Sequence, residues 1–296
     1  MKFKSGFVTI IGRPNVGKST LMNQIIGEKI AIMSDKPQTT RNRIQTIYTE
    51  DHFQIIFLDT PGMHKPKNKL GEYMQKTAQQ TLNEVDLILL VIDDTADMGP
   101  GDQYILEMLK NVKTPIFLVV NKMDRIPPEK FEKIYEMYTK ENIFRELVAI
   151  SALESKNVEK LVGKIVEFLP EGPQYFPKDM ITDQPEKVIV SEIIREKILH
   201  YLHEEVPHGV AVEVMSMKNR QDKDIVDISA TIYCEKKSHK GIIIGKGGRK
   251  LKGIGKSARE DIERLLGSKV FLELWVKIKE DWRDHENILN TLGYKL

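Results

Sequence analysis

Two stretches of this chain pair glycine with lysine in a way that could hold phosphate: GRPNVGKST, at 12–20, and KGIIIGKGGRKLKGIGKS, at 240–257. The first sets Gly12, Gly17, Lys18 and Ser19 in the spacing G-x4-G-K-[ST]. Glycines there let the backbone fold around phosphates, so that N–H groups and a helix N-terminus point at them. Lys18 is placed to reach the β- and γ-phosphates, and Ser19 to ligate Mg²⁺. Asn15, Val16 and Thr20 complete this loop's expected contacts. FLDTPG follows, with Asp59 ending an apolar run where a carboxylate can hold Mg²⁺ through water. Gly62 can offer an unobstructed backbone N–H to a γ-phosphate.

VVNKMD adds base selection. The Asp124 carboxylate can accept from the N1–H and exocyclic amine of guanine, donors that adenine lacks at those positions; a buried polar pairing of that kind discriminates strongly. Asn121 and Lys122 brace the loops around the base. In ISAL, Ser151, Ala152 and Leu153 form a turn whose Ala152 N–H can meet the guanine O6. The order and spacing of these four motifs resemble the small GTPase superfamily. A threonine in DKPQTTRNR should then complete the Mg²⁺ shell and sense the γ-phosphate; Thr40 is the choice, with Thr39 the alternative. Lys18, Thr40 and Gly62 are thus the expected catalytic contacts. Met63 stands where many GTPases have a glutamine that orients the attacking water. A thioether cannot do this, so either hydrolysis is slow or another group positions the water. GTPases with a hydrophobic residue at that position suggest that Asn15 holds K⁺.

The second stretch fails as another nucleotide loop. GKS at 255–257 would need glycine at position 250, which is Lys250, and Gly245-Lys246 is followed by Gly247, which has no hydroxyl. What remains is a G-x-x-G loop, Gly245, Lys246, Gly247 and Gly248, between two helical patterns. It is similar to the KH motif, in which such a loop clamps about four nucleotides of single-stranded RNA. Lys246, Arg249 and Lys250 supply charge, and an apolar groove beside Ile242, Ile243 and Ile244 is expected to hold bases. From Lys236 to Arg259 nine residues are Lys or Arg and none is Asp or Glu, the footprint of an anionic partner, nucleic acid before membrane.

The elements that must position these loops fall into two patterns. Up to about Leu169, short β-branched runs (FVTII, QIIFL, DLILLVI, PIFLVV, ELVAI) alternate with helical stretches, as in an α/β sheet with mostly parallel strands. Four prolines between Pro170 and Pro185 read as a linker. Beyond it come an amphipathic helix (188–205), two alternating strands, the glycine loop between two helices, the strand KVFLELWVKI and a last helix over 282–292, an α+β order of type II KH form. The expected division is 1–170, linker 171–187, and 188–296. Trp282 is expected to pack the last helix onto the sheet. The 296 residues are 41% hydrophobic and 30% charged, enough to bury two cores, and the net charge is only +2. A single cysteine, Cys234, excludes an internal disulfide framework and fits a reducing cytosol. No apolar run reaches the length of a membrane span.

GRPNVGKST, DTPG, NKMD, SAL, GIIIGKGG and the tail KEDWRDHENILNTLGY together resemble the bacterial Era family over essentially the whole chain. The resemblance implies binding to 16S ribosomal RNA near its 3′ end, a role in 16S processing and 30S subunit assembly, and peripheral association with the inner face of the membrane; the expected ligands are GTP and GDP, the expected state a monomer and the expected location the cytoplasm.

Overall fold

The computed structural model describes residues 2–28, 41, 43–59, 68–95 and 98–294. It divides into two compact units, Met1–Pro66 with Met74–Asp183, and Lys67–Tyr73 with Gln184–Leu296. Thr39, Thr40, Gly62 and Met63 lie outside the described residues.

The first unit is built on β1 (Lys4–Ile11), β2 (Ile44–Glu50), β3 (Phe53–Asp59), β4 (Leu87–Ile92), β5 (Ile116–Val120) and β6 (Phe144–Ala149), in the order β2-β3-β1-β4-β5-β6. All neighbours are parallel except β2 with β3. Alternation along each strand feeds two cores. Val8 and Ile10 of β1 pack on one face with Leu21 and Met22 of α1 (Lys18–Ile26) and Leu161 and Ile165 of α5 (Val158–Phe168). Ile11 packs on the other, with residues of α2 (Lys69–Glu84), α3 (Pro100–Leu109) and α4 (Pro128–Thr139). Burial on both faces is why β4 and β5 are continuous apolar runs.

β2 is absent from the strands that the pattern predicts. Its sequence, IQTIYTE, is half polar because it is the antiparallel edge of the sheet. The proline-rich stretch after Leu169 is also more structured than its composition suggests. Gln54 accepts from the N–H groups of Tyr175 (2.8 Å) and Phe176 (3.0 Å) and donates to the Phe176 carbonyl (2.9 Å). Ile47 N–H donates to the Ile181 carbonyl at 2.7 Å. Prolines exclude a helix, but they leave carbonyls and neighbouring N–H groups to bond to a sheet edge.

The second unit holds α6 (Glu186–Tyr201), β7 (Val210–Asn219), β8 (Ile225–Cys234), α7 (Lys237–Ile244), α8 (Arg249–Leu266), β9 (Lys269–Ile278) and α9 (Glu286–Thr291). Its three strands run β7-β8-β9, with β7 antiparallel and β9 parallel to β8. Helices α6, α7 and α8 cover one sheet face around Ile194, Ile198, Ile232, Ile243, Ile254 and Ile262. α6 is not the amphipathic helix that was expected. Glu192, Arg195 and Glu196 are buried beside its isoleucines. Arg195 bonds Glu192, and Lys197 bridges Glu196 (3.2 Å) and Asp261 of α8 (2.5 Å). Buried charge survives there because it is paired. Trp282 is fully buried and donates from Nε1 to the Gly209 carbonyl at 3.0 Å, which is the packing role expected of it. It opens a 3₁₀ turn, so α9 starts four residues later than the pattern predicts.

Candidate functional site

All the described nucleotide-site candidates follow or end strands of the first sheet at their carboxyl ends: the loop after β1, Asp59 at the end of β3, Asn121–Asp124 after β5, and Ser151–Leu153 after β6. Ligand sites of open α/β sheets form at that edge. Gly12 and Gly17 have φ of 149° and 97°. A Cβ on Gly12 would lie 2.2 Å from the Val91 carbonyl oxygen, and one on Gly17 would lie 2.2 Å from Asn121 Nδ2, so both positions need glycine.

Lys18 Nζ donates to the carbonyls of Gly12 (2.9 Å) and Arg13 (2.7 Å). Burial lowers its pKa to about 8, against the opposing pull of the Asp59 carboxylate. The ammonium is therefore held inside the loop in surroundings that a phosphate would relieve. Asn121 ties the loops together, donating to the Val16 carbonyl (2.8 Å) and accepting from the Ala152 N–H (2.9 Å). That N–H, assigned by sequence to the guanine O6, is here directed at Asn121. Asp124 accepts from Ser151 Oγ at 2.6 Å, the leading cause of its lowered pKa, and stays a carboxylate acceptor. Asn15, Gly17, Thr20, Asn121, Lys122, Asp124, Arg125, Ser151, Ala152 and Leu153 line one pocket of about 160 Å³. Arg125 is its one lining residue that the motifs do not indicate.

The sequence also gave no sign of the brace behind this pocket. Arg13 Nε donates to Asp102 Oδ1 (2.7 Å) and its Nη2 to Asp93 Oδ1 (3.1 Å), while Lys122 Nζ donates to Asp93 Oδ2 (3.0 Å). Burial alone would raise the Asp93 pKa; bonds from Thr95 and Lys122 hold it lowered instead. One carboxylate thus links the phosphate loop to the base loop. Arg13 occupies a variable place in G-x4-G-K-[ST], so spacing carries no signal for it.

The oxygen donors that the motifs offer to a metal ion are the Ser19 hydroxyl and the Asp59 carboxylate, the latter 1% exposed. A buried carboxylate beside a phosphate loop favours a nearby cation, and a small set of hard oxygens suits Mg²⁺, which keeps waters and takes phosphate oxygens. Among the described residues there is no cluster of three or more His, Cys, Asp or Glu that could hold a metal on its own.

In the second unit, Gly245, Gly247 and Gly248 all have positive φ (72°, 61° and 75°) and turn the chain from α7 into α8. A Cβ on Gly245 would meet Lys250 Cβ at 2.7 Å, whereas nothing lies within 4 Å of one built on Gly247 or Gly248. The loop opens onto a cleft of about 840 Å³ between α8 and β9. Arg249, Lys252, Lys256 and Arg259 line one wall, and Phe271, Leu272 and Leu274 the other. The isoleucines of the expected groove take different positions. Ile243 is in the core, and Ile242 and Ile244 are not among the lining residues. Of the predicted RNA contacts, Gly248 and Arg249 line the cleft; Ile244, Gly245, Lys246, Gly247 and Lys250 are their neighbours in the chain and are not among its lining residues. The cleft wall on β9 was hidden because apolar residues there also read as a core strand.

Family models match both units: a 50S ribosome-binding GTPase family over residues 7–122, and a KH domain family over residues 205–283. The chain is 69% identical to GTPase Era of Alkaliphilus oremlandii (strain OhILAs), covering 99% of this chain and 100% of that one. It belongs to the Era GTPase family. Identity to the Era of Clostridioides difficile (strain 630) is 64% over 99% of each chain. Two solved Era structures superpose with a TM-score of 0.94 at 42% identity, covering 99% of this chain and 100% of each of theirs. One is a variant of Aquifex aeolicus Era bound to GDP and AlF4⁻; the other is Era with MgGDPNP and nucleotides 1506–1542 of 16S ribosomal RNA. The Era architecture, a mostly parallel α/β GTPase sheet followed by a smaller KH unit, is the one that the two sequence patterns predict.

Proposed function

We propose that this Era-family GTPase binds Mg·GTP in the pocket of its first unit and RNA in the cleft of its second, and acts on 16S ribosomal RNA near its 3′ end during 30S assembly. One observation carries this reading: the chain aligns end to end with an Era that holds both MgGDPNP and 16S nucleotides 1506–1542. The geometry of the described residues supports it. Lys18 neutralises the β- and γ-phosphates, Ser19 and Asp59 hold Mg²⁺, and Asp124, set by Ser151, accepts from guanine N1–H and N2–H. Mg²⁺, when bound, offsets charge developing on the phosphate oxygens. The Gly12, Asn15, Val16, Gly17 and Thr20 segment wraps the phosphates, with Thr40 and Gly62 as the contacts to the γ-phosphate. Hydrolysis is slow without a glutamine at position 63, and K⁺ held by Asn15 assists it. The protein works as a monomer in the cytoplasm, with peripheral attachment to the membrane; no helix among the described residues is long and apolar enough to cross one.

Crosslinking the full chain to cellular RNA with GDPNP and with GDP tests the central claim. Recovery of 16S 3′ sequences in a nucleotide-dependent amount supports it, and recovery of unrelated RNA in both states refutes it. Asp124→Asn tests base reading, since the amide donates where the carboxylate accepted: preference should move toward xanthine nucleotides, and unchanged GTP affinity would remove the assignment. Equal hydrolysis rates in K⁺ and Na⁺ would remove the Asn15 cation alone.

A further inference from the structure

Helices cover one face of the second sheet, and the other carries large apolar side chains in solvent. On β9 the residues that alternate away from the core are Lys269, Phe271, Glu273, Trp275 and Lys277. Phe271 and Trp275 are each 55% exposed. Exposing an indole on a sheet face leaves a large apolar area in water, and aromatic platforms of this kind stack nucleic acid bases with little regard to sequence.

Phe271 lines the RNA cleft and belongs to this open face as well. Its ring lies under the Arg220 guanidinium at 5.4 Å, and Arg220 is paired with Asp227, so the ring is braced from one side. Trp275 follows four residues along the same face, about 13 Å away at strand rise. β9 is an edge strand, so no further strand separates the cleft from the open face. Two carboxylates on this face already have partners: Asp227 holds Arg220, and Glu213 accepts from Tyr233 at 2.9 Å. Glu273 stands between the two rings and repels phosphate, so a nucleic acid there must present bases inward and keep its backbone toward Lys269 and Lys277.

We infer that single-stranded RNA leaving the cleft passes over β9 and stacks a base on Trp275, extending the footprint beyond the four or so nucleotides that a G-x-x-G loop clamps. The inference rests on the RNA reading of the cleft. Continuity of the two surfaces through Phe271 selects RNA as the occupant over a second copy of the chain.

The chain has two tryptophans, and only Trp275 is accessible, since Trp282 is fully buried. Intrinsic fluorescence therefore reports on the proposed contact. The full protein is titrated with a tetranucleotide and with a decanucleotide containing it, both from the 3′ end of 16S ribosomal RNA. The decanucleotide should quench emission in the parent and not in Trp275→Phe, which removes the reporter but keeps a ring. Trp275→Ala should lose about five- to a hundredfold in affinity for the decanucleotide, keep its affinity for the tetranucleotide, and keep the parent's melting temperature; Trp275→Phe should retain most of the decanucleotide affinity. Decanucleotide binding without quenching overturns this inference alone, as does an equal loss for both RNAs. Sedimentation showing a dimer that Trp275→Ala dissolves, with RNA affinity unchanged, assigns the face to a second copy instead. Failure of both RNAs to bind the parent overturns the reading of the cleft and this extension with it.

Discussion

The two glycine loops share composition, positive φ and a following helix, and they differ in what surrounds them. At Gly12 and Gly17 even one added carbon would meet neighbouring protein atoms at 2.2 Å, and Lys18 is turned inward onto the loop's own carbonyls. At Gly247 and Gly248 there is only open space, and the cations of α8 line a wide cleft. An enclosed loop can surround a small ligand and discriminate it atom by atom. An open one lets a polymer pass and holds it mainly through charge. Glycine and lysine alone do not separate these outcomes; the packing around the glycines does.

The strongest way to break the contrast is Lys18→Ala. Lys18 is a half-buried ammonium turned onto the loop, and without it GTP affinity should fall by about a thousandfold or more, with nucleotide-free RNA binding and melting temperature nearly unchanged. Normal GTP hydrolysis by this variant would show that the loop is not the nucleotide site. Gly247→Asp should do the reverse. Aspartate tolerates the left-handed conformation at φ 61°, so the chain should fold. The added carboxylate repels phosphate, and RNA affinity in filter binding should drop by roughly tenfold or more, with GTP affinity intact. A loss of GTP affinity with RNA binding kept would mean that the loops were assigned the wrong way round.

pH separates the loops more finely. The folded, nucleotide-free protein holds the Lys18 proton only to about pH 8, below the ordinary lysine value of 10.5. Phosphate needs the charged form. Above pH 8 nucleotide binding must draw in a proton, and affinity should fall about tenfold between pH 7 and pH 9. Stability of the free protein moves the other way, because between pH 8 and 10.5 the unfolded chain binds more protons than the folded one, so rising pH favours folding. Calorimetry in buffers of different ionisation heat at pH 8.5 should show proton uptake on GDP binding; none would mean that Lys18 is already charged. The smallest effect belongs to the open site. Lys252→Gln and Lys256→Gln should each flatten the log–log salt dependence of RNA binding by about 0.7, and an unchanged slope in both would place the backbone elsewhere.

The nucleotide-site candidates were legible in the sequence because binding phosphate and guanine demands particular residue types at a particular spacing. The inner parallel strands were legible for a related reason: a strand buried on both faces, as β4 and β5 are, has no choice but to be apolar. What escaped was whatever depends on a partner distant in sequence. β2 reads as half polar because its Gln45, Thr49 and Glu50 side chains are only partly covered. The brace from Arg13 to Asp93 and Asp102 spans some eighty to ninety residues. Trp275 and Leu274 are adjacent in an apolar run, yet one faces solvent and the other lines the cleft beside α8, a difference set by pleat and by α8. α6 looked two-sided because its charges are paired inside the fold instead of being solvated.

The parallel pairing of β8 with β9 has a consequence for how the protein is made. The chain between them, Glu235 to Ser268, contains α7, the glycine loop and α8, so this loop is the crossover of a parallel strand pair. Such a crossover is fixed only when its second strand docks, and the loop-closure entropy is lost before the contacts that repay it form. β1 to β6 are all complete by Ala149, far earlier in synthesis. On the ribosome the strands that carry the nucleotide-site candidates are therefore synthesised well before β9, the strand whose docking closes the crossover around the second glycine loop.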